Sequence, residues 1–354
     1  MVGVGYDEKY FALLNKCIVA RGENGLFKAV GVDIGTILQL KKFSELAKKF
    51  LDSVGVAFEI KKNSIVPTPA GRDFIKLIKH GPRSIDEVYT LEPHSNLIVN
   101  EIDWSLISIL LNHVKASGGS AEVLDALNGL ADHLRGMARS PAFSARLNSY
   151  HRSANKNYRE LIRYERAIFD RYSKVLVLRL DLYYRKEHCS VAQSVARQHR
   201  KHLFDNARSN RIFKHMVGYV TKLEHGMKKG FHFHYMFFFD GSKVCEDITL
   251  ARRIGVYWTS VITKGAGGYY NCNYAKEKYR YCGVGMVVHS DAEKREHLRL
   301  AMVYLTKTDL YMKLKGDGRA LTKGVMPNLP SGRGRPRKEV RSEGCLRRSS
   351  VLQE

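Results

Sequence analysis

Three residues of this chain have the types and spacing to hold a divalent cation: Glu224, His232 and His234. In an extended strand alternate side chains share a face. His232 and His234 therefore project together, and Phe233 turns into the opposite layer. The segment HGMKKG (225–230) has the composition of a turn. A hairpin there sets Glu224 opposite His232, and such cross-strand partners lie about 5 Å apart. Two imidazoles and one carboxylate leave open coordination positions, which suits catalysis better than a closed structural site. The mixed N/O set accepts Mg²⁺, Mn²⁺ or Zn²⁺. Asp181 is a second acidic candidate, to be weighed against a role in a hydrogen bond or along a DNA path, and His225 and His289 stand further out. An isolated H-x-H pair is commonly two surface or hydrogen-bonded histidines. The convergence with Glu224 is what sets this one apart.

A nucleophile is available nearby in sequence. AEKREHLRLAMVYLTKTDLYMKLK reads as a long amphipathic helix, 291–313, with Leu298, Met302 and Leu305 on a core side. On that helix Tyr304, Lys307, Thr308 and Tyr311 form one stripe at i, i+3, i+4 and i+7. A phenol has a pKa near 10 and needs activation to attack at neutral pH. A metal-bound phosphate would supply the electrophile. Lys307, one turn along, would stabilise a phenolate or transition-state charge. Tyr311 is the rival nucleophile; Tyr304 is preferred because Lys307 stands at the matching offset. Alone, a Y-x-x-K reads as an interfacial aromatic with a solvated neighbour.

The elements that must position these groups begin near 157. A helix (NYRELIRYERAIFDRYS), a buried strand VLVLRLDLYY (175–184), a helix over 190–208, two strands GYVTKLEHG and FHFHYMFFFDG, a helix TLARRIGVYWTSVI, a strand GVGMVVHS and the long helix follow in turn. This order predicts an α+β domain over 157–315, an antiparallel sheet with helices packed on one face. Residues 1–150 read as a mainly helical accessory region. SELAKKFLDSVGV has helical periodicity through Val54, and IVPTPAGRDFIKLI reads as an extended piece, a turn and a helix, loosely a winged-helix element. Two further helices flank the flexible SGGS at 117–120, and no internal repeat occurs. From 316 to 354 the chain is Gly-, Pro- and Arg-rich and reads as a loop or disordered tail.

Charge narrows the partner. The 354 residues carry a formal net charge of +24. Residues 1–150 hold 18 Lys and Arg against 16 Asp and Glu, and residues 151–354 hold 41 against 19. So uneven an excess favours a polyanion on the second half, and with its tyrosines it points to nucleic acid. No apolar run approaches the roughly 20 residues of a membrane helix, so no membrane partner is expected. MVGVGYDEKY has no basic region followed by an apolar stretch, and the expected location is the cytoplasm. Six scattered cysteines (17, 189, 245, 272, 282, 345) without a C-x-x-C pair read as free thiols.

Taken together these residues resemble a known class. KLEHGMKKGFHFHYMFFFDG resembles the H-hydrophobic-H motif of HUH replication initiators and relaxases, with Glu224 at the acidic position of the replication-initiator branch. YLTK (304–307) resembles their Y-x-x-K, and LRLDLYY (178–184) stands where their first strand motif would be. More narrowly, 157–312 is similar to the inovirus replication-protein family, also named for the YagK/YfjJ C-terminal domain, through the FFFDGS run, Tyr257–Trp258, GVGMV and YLTKTD. The resemblance implies a sheet-based nicking domain with a divalent metal, Mg²⁺ or Mn²⁺. It would cut one strand of origin DNA in a bacterial host cell and form a 5′-phosphotyrosine link. The free 3′ hydroxyl would go to a host polymerase, starting rolling-circle replication of a phage or mobile element. No Walker A motif is present, so a host helicase would be needed.

The tail adds GRGRPRK (332–338), which resembles an AT-hook. Arg333 and Arg335 would enter a narrow minor groove, with Arg337 and Lys338 beside them; a basic tail binding phosphates without preference is the alternative. Two rivals to a tyrosine nickase stay open: a non-catalytic origin-binding or regulatory protein with the same fold, and a metal hydrolase acting on RNA or nucleotides through an activated water.

Overall fold

The structure is a computed structural model that describes residues 34–81, 87–114, 116, 120–226, 229–279, 281–316 and 318–328. The AT-hook-like segment, with Arg333, Arg335, Arg337 and Lys338, lies outside the described residues.

The N-terminal part is mainly helical. Helix α1 (Ile34–Leu51) leads to a hairpin of β1 (Phe58–Lys61) and β2 (Ser64–Pro67), then α2 (Pro69–Lys79). The hairpin turns on Lys62 and Asn63, both at positive φ (50° and 60°), the twist that two-residue hairpin loops require. Helix α1 stops at Leu51, three residues short of the predicted run, and Val54 is exposed. Thr68 caps α2 by accepting from the Gly71 amide, with Pro69 at the first helical position. Among the described residues the hairpin lies between two helices, α1 and α2. The short strand β3 (Tyr89–Leu91) comes next, then α3 (Pro93–Glu101), α4 (Trp104–Asn112) and α5 (Ala121–Arg139). Phe43, Phe50, Phe58, Phe74, Ile98, Leu127 and Leu134 close one core.

Ser140 ends α5 and starts α6 (Pro141–Arg171), its hydroxyl accepting from the Phe143 amide at 3.1 Å. Helix α6 has 31 residues, about 46 Å at the usual rise. It runs unbroken through residues 150–157, where a boundary is predicted. Phe143 belongs to the N-terminal core, whereas Tyr164, Ile168 and Phe169 pack on the sheet.

The sheet has six strands. β4 (Lys174–Tyr184) precedes α7 (Gln193–Ala207), β5 (Met216–Gly226) and β6 (Gly230–Asp240). Helix α8 (Asp247–Tyr257) opens into a π-turn over Trp258–Ile262, followed by β7 (Gly267–Asn271) and β8 (Gly285–Val288). Helix α9 (Ala292–Tyr304), a 3-10 turn over Lys307–Leu310, β9 (Met312–Leu314) and β10 (Leu321–Lys323) complete the order. The sheet runs β10-β5-β6-β4-β7, with β8 pairing the other end of β4, all antiparallel. The fold is α+β, as predicted, but helices cover both faces. Leu176, Leu178, Leu180, Phe233 and Phe237 face α7 and α8, while Val175, Val177, Val220, Met236 and Phe238 face α6 and α9.

Two strands of this sheet fall outside the predicted set. β7 is GGYYN, a turn-like composition, yet it pairs with the C-terminal half of β4, Leu180–Tyr184, where Gly268 leaves room for the Tyr183 ring. β10 lies in what reads as tail and extends the β5 edge. The predicted helix 291–313 ends at Tyr304. There the Thr306 amide and hydroxyl both donate to the Val303 carbonyl, at 2.8 and 2.7 Å. The chain beyond is drawn off by long-range partners: Asp309 forms a buried ion pair with Lys222 on β5, and β9 pairs with β3 of the N-terminal part. Cys189, Cys245, Cys272 and Cys282 are free, as expected for these four.

Gly230, the first residue of β6, has φ +61°, and a Cβ there would sit 1.8 Å from the Cys189 carbonyl oxygen. Both strain and collision oppose any side chain. Gly230→Ala is therefore expected to lose about 3 kcal/mol or more of stability, read from the urea midpoint at unchanged slope.

Candidate metal centre

One face of the sheet changes character along its length. A strand buried on both sides normally reads as a continuous apolar run. On β4 the residues toward α6 and α9 begin Val175, Val177 and then become Arg179, Asp181, both buried. On β6 they run His232, His234, Met236, Phe238, and on β5 Val220, Lys222, Glu224. The polar ends of the three strands adjoin, so the sheet gathers its buried charge into one patch.

The register brings the expected ligands together. Glu224 pairs with His232 across β5–β6, and Asp181 pairs with His234 across β4–β6. Donor atoms of Glu224, His232 and His234 lie within 4.8 Å of one another. Glu224 Oε2 is their common point, 3.3 Å from His234 Nε2 and 3.9 Å from His232 Nε2. Behind each stands an orienting partner. His232 Nδ1 bonds the Gly230 carbonyl at 3.0 Å, His234 Nδ1 bonds Asp181 Oδ1 at 2.6 Å, and the Thr308 hydroxyl donates to Glu224 Oε1 at 3.4 Å. Such partners fix ring orientation and tautomer in metal sites.

The chemistry of His232 supplies the test of fit. Its ring is fully buried, and its Nε2 has no hydrogen-bond partner. With Nδ1 donating to Gly230, Nε2 carries a bare lone pair aimed at Glu224. Burial, then the neighbouring His234, push its pKa down to about 4, so the ring is neutral at pH 7. Burial acts the same way on His234, but Asp181 and Glu224 prevail and raise it. Burial would raise Asp181, yet His234 and then Arg179 hold it below its ordinary value. A buried acceptor without a donor is costly in a core. Beside a carboxylate and a second imidazole, it fits a divalent cation. Asp181 serves as the orienting carboxylate of His234, the hydrogen-bonding role weighed against ligation in sequence.

The candidate nucleophiles separate. Tyr304, the last residue of α9, is buried at 7% exposure, its ring 5.4 Å from the Arg179 guanidinium carbon. Arg179 and Asp181 are two residues apart on one face of β4, about 7 Å. Tyr304 thus joins the polar patch through Arg179. Tyr311 does not: it packs among Ala154, Leu300 and Leu310 on one side and Ile37, Tyr89 and Met312 on the other. Because α9 ends at Tyr304, Lys307 and Thr308 are not one helical stripe with it. The Lys307 side chain lies outside the described set, and Thr308 turns to Glu224. His225 is on the opposite face against Phe231. His289 follows β8, its amide on the Ser173 carbonyl, some eight residues or about 26 Å along β4 from Asp181. Sequence reading passed over Arg179 and the buried Lys222–Asp309 pair, although a charge inside an apolar run was the visible sign of the first.

Among the described residues no helix is long and apolar enough to cross a membrane. No curated protein and no solved structure matches the chain. The YagK/YfjJ C-terminal domain family matches residues 142–320, from the start of α6 to the edge of β10, and the chain belongs to that family.

Proposed function

We propose that the chain is a metal-dependent single-strand DNA endonuclease and strand transferase of HUH type, akin to the inovirus replication proteins. In this role it nicks an origin to start rolling-circle replication of a phage or mobile element. The observation that supports it most is the fully buried Nε2 of His232, without a hydrogen-bond partner and directed at Glu224 beside His234. Glu224, His232 and His234 would hold a Mg²⁺ or Mn²⁺ ion, which when bound would polarise the scissile phosphate. Tyr304 Oη attacks phosphorus, the bond to O3′ breaks, and the phenolic proton is lost to solvent. The leaving O3′ takes up a proton, and the 5′ phosphate stays on Tyr304. The freed 3′ hydroxyl is a primer for a host polymerase, with a host helicase opening the duplex. Because Tyr304 and the ligands are buried, the reaction also needs the Thr306–Leu310 turn to move aside for the strand.

The test is incubation of the full chain with labelled origin single strands and Mn²⁺, read as a protein-linked band that survives denaturation. No adduct on any strand, from protein shown to bind Mn²⁺, would remove the reading. The burial of Tyr304 favours a second reading, a DNA-binding protein that keeps this fold without cleavage. It gives salt-sensitive binding that is indifferent to metal.

A further inference from the structure

Arg179 is a cation without a counterion in contact. It is 93% buried, at 7% exposure, and its Nε has no hydrogen-bond partner. Among the described residues no carboxylate forms an ion pair with it. Asp181, two residues on along the same face of β4, acts on it electrostatically, but that carboxylate is already committed to His234 at 2.6 Å. Cys272, Tyr279 and Tyr304 also act on it. Buried charges are ordinarily paired, and breaking such a pair is strongly destabilising. A strand that retains an arginine here therefore holds a place for an anion. A guanidinium matches phosphate through a planar fork, and this one stands 5.4 Å from the centre of the Tyr304 ring.

Resting on the nicking reading, we propose that Arg179 binds the scissile phosphodiester of single-stranded DNA, holding it between Tyr304 and the Glu224–His232–His234 set. The geometry supports this assignment. Arg179 shares a face with Asp181 and His234, about 7 Å from the former, a gap that a phosphate spans. It would also perform, from the strand, the charge-stabilising work expected of Lys307.

Two variants test this in the full chain. Arg179→Met removes the charge with a side chain of similar length and no unmade hydrogen bonds. Arg179→Lys keeps the charge but loses the fork. With Mn²⁺ and labelled single strands, Arg179→Met is expected to slow adduct formation about 100-fold and Arg179→Lys about tenfold. In parallel, the rise in Tm caused by inorganic phosphate is expected to shrink in Arg179→Met and to return in part in Arg179→Lys. An adduct rate within threefold of the unsubstituted chain in Arg179→Met overturns the proposal and leaves the nicking reading intact. If the unsubstituted chain forms no adduct, the nicking reading falls. The phosphate measurement then decides alone, and an undiminished response in Arg179→Met overturns the anion site too. Should Arg179→Met fail to fold, Arg179→Lys carries the test: phosphate response and adduct rate both equal to the unsubstituted chain overturn it.

Discussion

Tyr304→Phe is expected to abolish the covalent protein–DNA adduct, a loss of about 10⁴-fold or more, while the chain stays folded and binds single strands as before. The substitution removes one oxygen and leaves the ring that packs against Arg179. Without Oη there is nothing to bond phosphorus, and the remaining groups can only polarise and hold the phosphate. Loss of a nucleophile typically costs several orders of magnitude even when its partners remain. Tyr311→Phe is the matched control, with adduct yield unchanged, because that ring sits in the junction with the N-terminal part. Denaturing electrophoresis of labelled strands reads both. A product cut without protein attachment, and tolerant of Tyr304→Phe, would mean that water and not the phenol attacks. An adduct at full yield in Tyr304→Phe but lost in Tyr311→Phe would transfer the role to Tyr311 and require the β3–β9 junction to open.

Much of this site could be read from sequence, for a definite physical reason. Alternation in FHFHY and the short turn before it leave few registers, and a one-residue slip would turn the histidines into the apolar layer under α7 and α8. Hence Glu224 meets His232 as expected. What could not be read depends on partners far along the chain. The helix through Tyr304 keeps an apolar pattern to Leu305 and looks set to continue. Its end is imposed by Lys222, some 87 residues away, drawing in Asp309, and by β3 capturing β9 from over 220 residues away. Local periodicity carries no trace of either. The glycines of β7 signal a turn in isolation and become strand residues because side chains fill the space beside them, the Tyr183 ring at Gly268 and the Trp258 indole with the Thr263 hydroxyl at Gly267. The covering of both sheet faces was visible in part: VLVL is apolar at every position, as strands buried on both sides are.

The second large effect concerns stability and metal together, and its sign separates a ligand from an ordinary core histidine. His232→Leu replaces a fully buried imidazole by a side chain of similar bulk. It forfeits the 3.0 Å bond to the Gly230 carbonyl, worth about 1 kcal/mol net. It also removes the buried Nε2 that has no hydrogen-bond partner, whose desolvation costs about 1–3 kcal/mol. Without metal the variant should therefore be as stable as the unsubstituted chain, or up to about 2 kcal/mol more so. With Mn²⁺ at a hundred times its dissociation constant, the unsubstituted chain should gain about 2.7 kcal/mol, and the variant nothing. A histidine kept for packing would give the reverse: a destabilised variant and no response to Mn²⁺ in either protein. Urea titrations of both proteins, in chelator and in Mn²⁺, give the four midpoints needed. The crossing of those stabilities is what a site kept for chemistry requires, since the core tolerates an acceptor without a donor only if something else fills the gap.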